Sequence, residues 1–274
     1  MTPEAPFRLV EGVKCYHPDV AESYDDYPES GFDVTDEVEG DSFWVRARTR
    51  LVRSEVARAS GGSAVRMLEL GCGTGVLLRA LTDVPDLSLV GSEVYLRGLR
   101  SARARGGPIE FIQLDATRIP FQAEFDIVGA FDVIEHIEDD AAVLRGIGGA
   151  LKPGGRLLLT VPQHPFLWSR LDELVHHKRR YTRKGLVRRV QEAGLRVDYA
   201  SSFVFTCFPL MLAARLLDRA AGTDPKREFD RRVRFSPFVN ATLDALMRVD
   251  EALIRRRVSL PWGGTLLMVA SRPS

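Results

Sequence analysis

The chain has 274 residues, 45% of them apolar and 27% charged, which is ordinary globular composition. Thirty-eight basic side chains stand against thirty-seven acidic ones, for a formal net charge of +1. That length suits one large domain or a domain with a small appendage, and the balance gives no electrostatic argument for a nucleic-acid partner. A membrane-spanning helix needs about 20 apolar residues. The longest apolar run, Phe203 to Leu217, has fifteen and contains Pro209 and Arg215. Met1 to Pro6 lacks the basic and then apolar character of a signal peptide. Cys15, Cys72 and Cys207 are odd in number and far apart. They predict reduced thiols in the cytoplasm, with neither a disulfide framework nor a metal site.

Residues 1–42 carry twelve acids and two bases, with turn-rich stretches such as Tyr27 to Gly31. That composition predicts an extended or mobile arm. Asp41-Ser42 is placed to cap a helix over 43–59, which Gly61-Gly62 stops. Five short apolar runs follow, at 65–70, 87–92, 109–114, 125–130 and 155–161. Helical stretches at 76–82, 95–105 and 139–151 separate them. Short buried strands alternating with helices predict a parallel, doubly wound sheet with helices on both faces. Ligands bind such sheets beyond the carboxyl ends of the strands. A connector rich in aromatics and bases, 164–181, leads to a helix at 182–193, a strand at 195–203 and a last strand at 265–270. The roughly 60 residues between those strands exceed a simple connection. They predict an insert with a helix from Pro209 and another capped by Ser236-Pro237.

The segment Leu68-Glu-Leu-Gly-Cys-Gly-Thr-Gly75 ends a strand, turns on glycines and opens a helix. Gly71, Gly73 and Gly75 allow close approach of a ligand to the backbone, and the helix start offers free N–H groups. A dinucleotide fingerprint has a third glycine where Val76 stands, which argues against a nicotinamide oxidoreductase. Glu93 closes the second strand, where a carboxylate can accept from a ribose diol. Asp115 follows the third strand, where it can accept from an adenine amine. Singly, each acid is equally a helix cap. Three acids, Glu69, Glu93 and Asp115, at the ends of successive strands form a ligand pattern.

Together these residues resemble the class I S-adenosylmethionine-dependent methyltransferases. Leu68 to Gly75 is similar to the family's first motif, Glu93 to its ribose acid and Asp115-Ala116 to its adenine contact. Phe125 to Ile137 resembles the fourth-strand motif, and Leu151 to Thr160 the turn into strand five. The resemblance implies a Rossmann-like, doubly wound α/β fold with seven strands, mostly parallel, the last antiparallel. It implies S-adenosylmethionine as cofactor, released as S-adenosylhomocysteine. Glu69 would receive the methionine amine, with Gly71, Cys72, Gly73 and Gly75 beneath the amino-acid part. Glu93 and Val94 would meet the ribose, Asp115 and Ala116 the adenine, and Phe131 the methionine end. The family usually has Asp at the ribose position, so Glu93 is one methylene longer.

Residues His164 to Trp168, Asp172, His176-His177 and Arg179 to Thr182 resemble a bacterial subgroup, type 11/12-like, acting on small molecules. Phe43 to Arg48 and Leu260 to Val269 share that resemblance. The subgroup stands beside pathways for natural products, cell-surface sugars and lipids, implying O-, N- or C-methylation of such an acceptor. Trp44, Arg46, Trp168, His176, Arg180 and Tyr181 are then candidate acceptor residues. His136 and His164, both following strand ends on the ligand side, are candidate general bases.

The basic run Lys178 to Arg189 reads as a solvated helix face, an anion-docking surface or a partner of the acidic arm. Bases at Arg215, Arg219, Arg227, Arg231, Arg232 and Arg255 to Arg257 border the apolar insert. The insert is then a cap over the acceptor pocket or an interfacial element for a membrane-associated or carrier-bound acceptor. The expected organisation is an arm and lid helix over 1–60, a cofactor-binding core over 61–203 and 259–274, and a helical cap over 204–258. The sequence does not choose between monomer and homodimer.

Overall fold

The computed structural model describes residues 6–20, 42–221 and 235–274. Tyr27 to Gly31, Asp41, the Arg219 side chain, Arg227, Arg231 and Arg232 lie outside the described residues. The described strands form one sheet in the order β1-β2-β5-β4-β3-β6-β7-β9-β8. They are β1 (Arg8–Val10), β2 (Val13–Cys15), β3 (Val65–Leu70), β4 (Leu87–Glu93) and β5 (Ile109–Gln113). The rest are β6 (Phe125–Phe131), β7 (Leu151–Pro162), β8 (Arg196–Phe203) and β9 (Thr265–Ser271). Strands β5, β4, β3, β6 and β7 run parallel, and β9 lies antiparallel between β7 and β8. The expected seven-stranded core is therefore present, with its antiparallel last strand.

Two further strands correct the expected count. Residues 8–15 form a hairpin whose second strand pairs in parallel with β5. The turn residues Glu11 and Gly12 have φ of 51° and 73°, as a two-residue hairpin turn with the right twist requires. Val13 and Cys15 are buried and Lys14 is not, the alternation of a half-buried strand. This part of the arm is thus built into the sheet. It covers the otherwise open edge of β5, and edge backbone groups favour pairing.

Helices and strands alternate for a simple reason. In β3, Leu68 and Leu70 join one buried cluster and Met67 the other, so each face of the strand feeds its own core. Each such fully buried side chain contributes about 1.5–3 kcal/mol relative to exposure. The first cluster includes Val143, Leu144 and Ile147 of the helix Asp140–Ala150. The second includes Leu77, Leu78 and Leu81 of the helix Val76–Leu81, and Leu99 of the helix Leu96–Ala104.

The insert holds the two expected helices, Phe208–Ala221 and Pro237–Arg255. Ser236 caps the second as predicted, its hydroxyl accepting from the Val239 N–H. The first long helix, Phe43–Ser60, packs against it through Ala47, Leu51, Leu243, Met247 and Ile254. Ser42 stands at the N-cap but its side chain makes no cap bond. Instead the Phe43 N–H donates to Asn240 Oδ1 at 2.8 Å, so the insert caps the N-terminal helix. Arg50 fixes the pair further, at 2.6 Å from Glu251 and 2.9 Å from Asp244.

Candidate functional site

Strand order reverses at β3, between β4 on one side and β6 on the other. The carboxyl ends of these strands open into a cleft there, as the switch-point rule requires. Its walls include Glu69, Gly71, Cys72, Gly73, Glu93, Val94, Asp115, Ala116, Phe131 and His136. Nine of the ten residues implied as cofactor contacts thus meet in one place. Gly75 is the exception. It caps the helix that follows, at φ 78°, and a Cβ there would lie 2.9 Å from Ala102 Cβ. Its role is close packing between two helices. Gly73, at φ +53°, is the opposite case: its Cβ position has no neighbour within 4 Å, so space beside the loop is open.

Glu93 organises the loop. One carboxylate oxygen accepts the Gly73 N–H at 3.0 Å and the other the Val94 N–H at 2.8 Å. Tyr95 adds a third N–H at 3.3 Å. Burial pushes the Glu93 pKa up, and these donors pull back only part of that rise. A carboxylate has about four acceptor sites, so at least one remains for a ligand hydroxyl. The extra methylene lets this acid brace the loop while facing the cleft.

Asp115 carries its helix-cap role in full. Its Oδ1 accepts from the Thr117 N–H at 2.8 Å and the Thr117 hydroxyl at 2.7 Å, and Oδ2 from Arg118 at 2.9 Å. Burial raises its pKa, but the Thr117 and Arg118 bonds outweigh that and hold it below the usual carboxylate range. The Asp115 N–H donates to His17 Nδ1 at 3.2 Å. The chain just beyond the hairpin therefore braces this end of the cleft, which no local motif announced.

The opposite wall is made by Phe131, Asp132, Val133, His136 and Ile137, with Arg48 from the N-terminal helix. Asp132 has φ 59°, an uncommon backbone state for a residue other than glycine. Its carboxylate lies 2.7 Å from Arg48. Sequence reasoning chose Trp44 and Arg46 on that helix and missed Arg48. No spacing along the helix singles it out, since Trp44, one turn earlier, packs on Phe203 and does not line the cleft. Next to His136, Glu135 is fully buried, and burial together with the charge of Asp132 pushes its pKa well up despite Arg180 and Arg48.

The candidate acceptor residues lie elsewhere. Trp44 packs on Phe203 with ring centroids 5.6 Å apart, and Arg46 pairs with Asp244 at 3.6 Å. Trp168 donates to Glu173 at 3.3 Å, and His176, at φ 58°, donates its N–H to the Glu173 carbonyl at 3.1 Å. Arg180 is held by Asp172 at 2.7 Å, and the buried Tyr181 hydroxyl donates to Asp140 at 2.7 Å. None of the six lines the cleft. The polar ends of Arg46, Trp168, Arg180 and Tyr181 are engaged in holding the connector after β7 and the N-terminal helix. His164 is also off the cleft wall, among Phe166, Phe208 and Trp262, and burial lowers its pKa. Of the two candidate bases, His136 alone lines the cleft. The basic run is largely occupied: Arg179 and Arg189 reach Asp140, and Arg183 reaches Ser259. Its exposed bases are Lys178, Lys184 and Arg188, the last paired with Glu192.

A family model described as a methyltransferase domain matches residues 44–200, more than half of the chain. The chain belongs to the class I S-adenosylmethionine-dependent methyltransferases. The O-methyltransferase cnsE of Penicillium expansum is 30% identical over 125 residues, 42% of this chain and 45% of that protein. A trans-aconitate 2-methyltransferase of Azoarcus sp. (strain BH72) is 31% identical over 118 residues, 43% of this chain and 47% of that one. The chain thus spans about half the length of the curated relatives it matches. Among solved structures, the [4+2]-cyclase SpnF aligns with a TM-score of 0.56 and 21% identity, over 84% of this chain and 82% of that one. That likeness concerns the fold. No described helix is long and apolar enough to cross a membrane.

Proposed function

We propose that this methyltransferase moves the methyl group of S-adenosylmethionine onto an oxygen of a small-molecule acceptor in the cytoplasm. The observation that carries it is the convergence of Glu69, Glu93 and Asp115 on one cleft at the switch point, with His136 on the facing wall. The residues fit the cofactor. Gly73 leaves open space for it, and Glu69, only 4% exposed, lines the same cleft with a carboxyl group suited to an ammonium.

When bound, the cofactor supplies an electrophilic methyl group on a sulfonium, already joined to a good leaving group. Glu69 would take the amine, Glu93 a ribose hydroxyl, and Ala116 the adenine edge through its N–H. Phe131 and Val133 keep water from the reacting end. Orientation of this kind contributes roughly 7–11 kcal/mol to lowering a barrier. That methyl would pass from sulfur to the acceptor oxygen as the carbon–sulfur bond breaks, with S-adenosylhomocysteine as the other product. His136 takes the acceptor's proton where the acceptor is a neutral hydroxyl, worth about 10²–10⁴-fold. An acceptor already ionised needs no base.

Of the natural-product, cell-surface sugar and lipid or quinone classes, the quinone type is the one that relatives' names support, since ubiquinone biosynthesis O-methyltransferases are among them. A membrane-associated or carrier-bound acceptor is a second reading, favoured by the exposed Leu210, Leu217 and Phe238 on the two insert helices. The proposed cap over 204–258 serves either case. Fold likeness to a cyclase shows why turnover must be measured, since one fold hosts several reactions. Calorimetry should show S-adenosylhomocysteine binding, and radiolabelled methyl should pass to members of a phenol, carboxylate and hydroxy-acid panel. No binding and no transfer would overturn the reading.

A further inference from the structure

The loop after β6 and the connector after β7 meet away from the cofactor end of the cleft. The Lys178 N–H donates to the Glu135 carbonyl at 2.7 Å, and Arg179 to the Ile137 carbonyl at 2.9 Å. This clamp brings His177 beside Glu135 and His136, with the two imidazole rings edge-on and 4.7 Å between centroids. We propose that Glu135, His136 and His177 bind one divalent first-row transition-metal ion, with zinc the best match to the donor set. The sequence had predicted no metal.

Four observations converge. The candidate donor atoms of the three residues all lie within 4.8 Å of one another. His177 Nε2 and Glu135 Oε1 are 3.9 Å apart, too far for a hydrogen bond. Donors about 2.0–2.2 Å from a tetrahedral zinc stand roughly 3.4 Å from each other, so a small inward shift completes the shell. Second, Glu135 is fully buried, and neither carboxylate oxygen has a hydrogen-bond partner among the described residues. A buried carboxylate with no partner is costly, and a cation is one of the few groups that offsets it.

Third, His177 Nδ1 lies 2.9 Å from Asp172 Oδ1. Asp172 is buried and ionised, held by Arg180, Arg215 and the Ser169 N–H. It therefore accepts from Nδ1–H and leaves the Nε2 lone pair facing Glu135. A carboxylate orienting a histidine toward a metal is the usual outer arrangement of such sites. Fourth, two histidines and one carboxylate leave a coordination position open. His136 lines the cleft, so that position is accessible from the acceptor side. There an ion would bind the acceptor oxygen and lower its pKa, replacing the proton removal that the unligated His136 imidazole performs when no ion is bound, an extension that rests on the proposed methyl transfer. Ion binding itself does not.

The test uses the metal-stripped full chain titrated with zinc chloride, without cofactor. One ion per chain is expected, with a rise in melting temperature. Glu135→Gln, nearly isosteric, and His177→Ala should each weaken zinc at least about tenfold. Both should keep S-adenosylhomocysteine affinity within about twofold, showing an intact fold. Absence of zinc uptake by the wild type overturns the site. So does uptake that persists in both variants, which would place the ion elsewhere, at the cysteines for example. Loss of zinc with retained cofactor binding supports it, whatever the turnover assay shows.

Discussion

Arg48 Nη1 lies 2.7 Å from Asp132 Oδ2, joining the N-terminal helix to the loop after β6 at the cleft wall. The two side chains are 20% and 23% exposed, so solvent screens the pair. Its worth is about 0.5–1 kcal/mol, mostly through geometry. Arg48→Met should weaken S-adenosylhomocysteine about two- to fivefold by calorimetry, in step with that energy. Unchanged affinity would mean the helix closes the cleft by packing alone.

Gly73→Arg should abolish cofactor binding while the protein still folds. The position has φ +53°, costing a side chain roughly 1–2 kcal/mol, and the open space beside it is where we propose the cofactor lies. Circular dichroism should show the wild-type spectrum, and calorimetry no heat with S-adenosylhomocysteine. Retained binding would move the cofactor elsewhere.

Glu93 supplies a pH signature. Burial raises its pKa, so it protonates at a higher pH than the ordinary value of about 4.3. Protonation removes an acceptor for the Gly73 and Val94 N–H groups and for the ribose. Cofactor affinity is therefore full above the raised pKa and falls as pH drops through it. The stability effect has the opposite sign. The folded chain holds this proton more tightly than the unfolded one, so the contribution is present at low pH and is lost as pH rises through the folded pKa. Glu93→Gln should flatten both profiles, measured by calorimetry and thermal melts across pH 4–8.

Arg50→Ala leaves Glu251 and Asp244, both buried, without their shared guanidinium. Breaking such a pair costs about 3–5 kcal/mol when fully buried. With Arg50 25% exposed, roughly 2–3 kcal/mol is expected. The melting temperature should fall by about 4–10 °C. Cofactor affinity should change little, because none of the three lines the cleft.

His136→Ala should lower turnover about 10²-fold or more while cofactor affinity moves by less than about tenfold. Equal losses in both would assign His136 a binding role instead.

The central sheet and the residues that meet at the cleft were legible because their signals are local. Strand, glycine turn and helix start sit within Leu68 to Val76, and each acid closes its own strand. The acceptor side was not. Arg180 and Tyr181 look like ligand residues in a basic, aromatic run, yet Asp172 and Asp140, at longer range, claim them. Arg48 lines the cleft and His17 braces Asp115 only through tertiary placement, which no spacing encodes. The hairpin at 8–15 was hidden by an acidic composition that describes the rest of the arm.

That hairpin also sets a limit on self-association. With β2 laid along β5, the free edge on that side is β1, a strand of only three residues. A short edge is a poor template for another chain to extend. Pairing of one copy with another through a sheet edge is then left to β8, eight residues long at the other end of the sheet, and association on the β1 side falls to side chains.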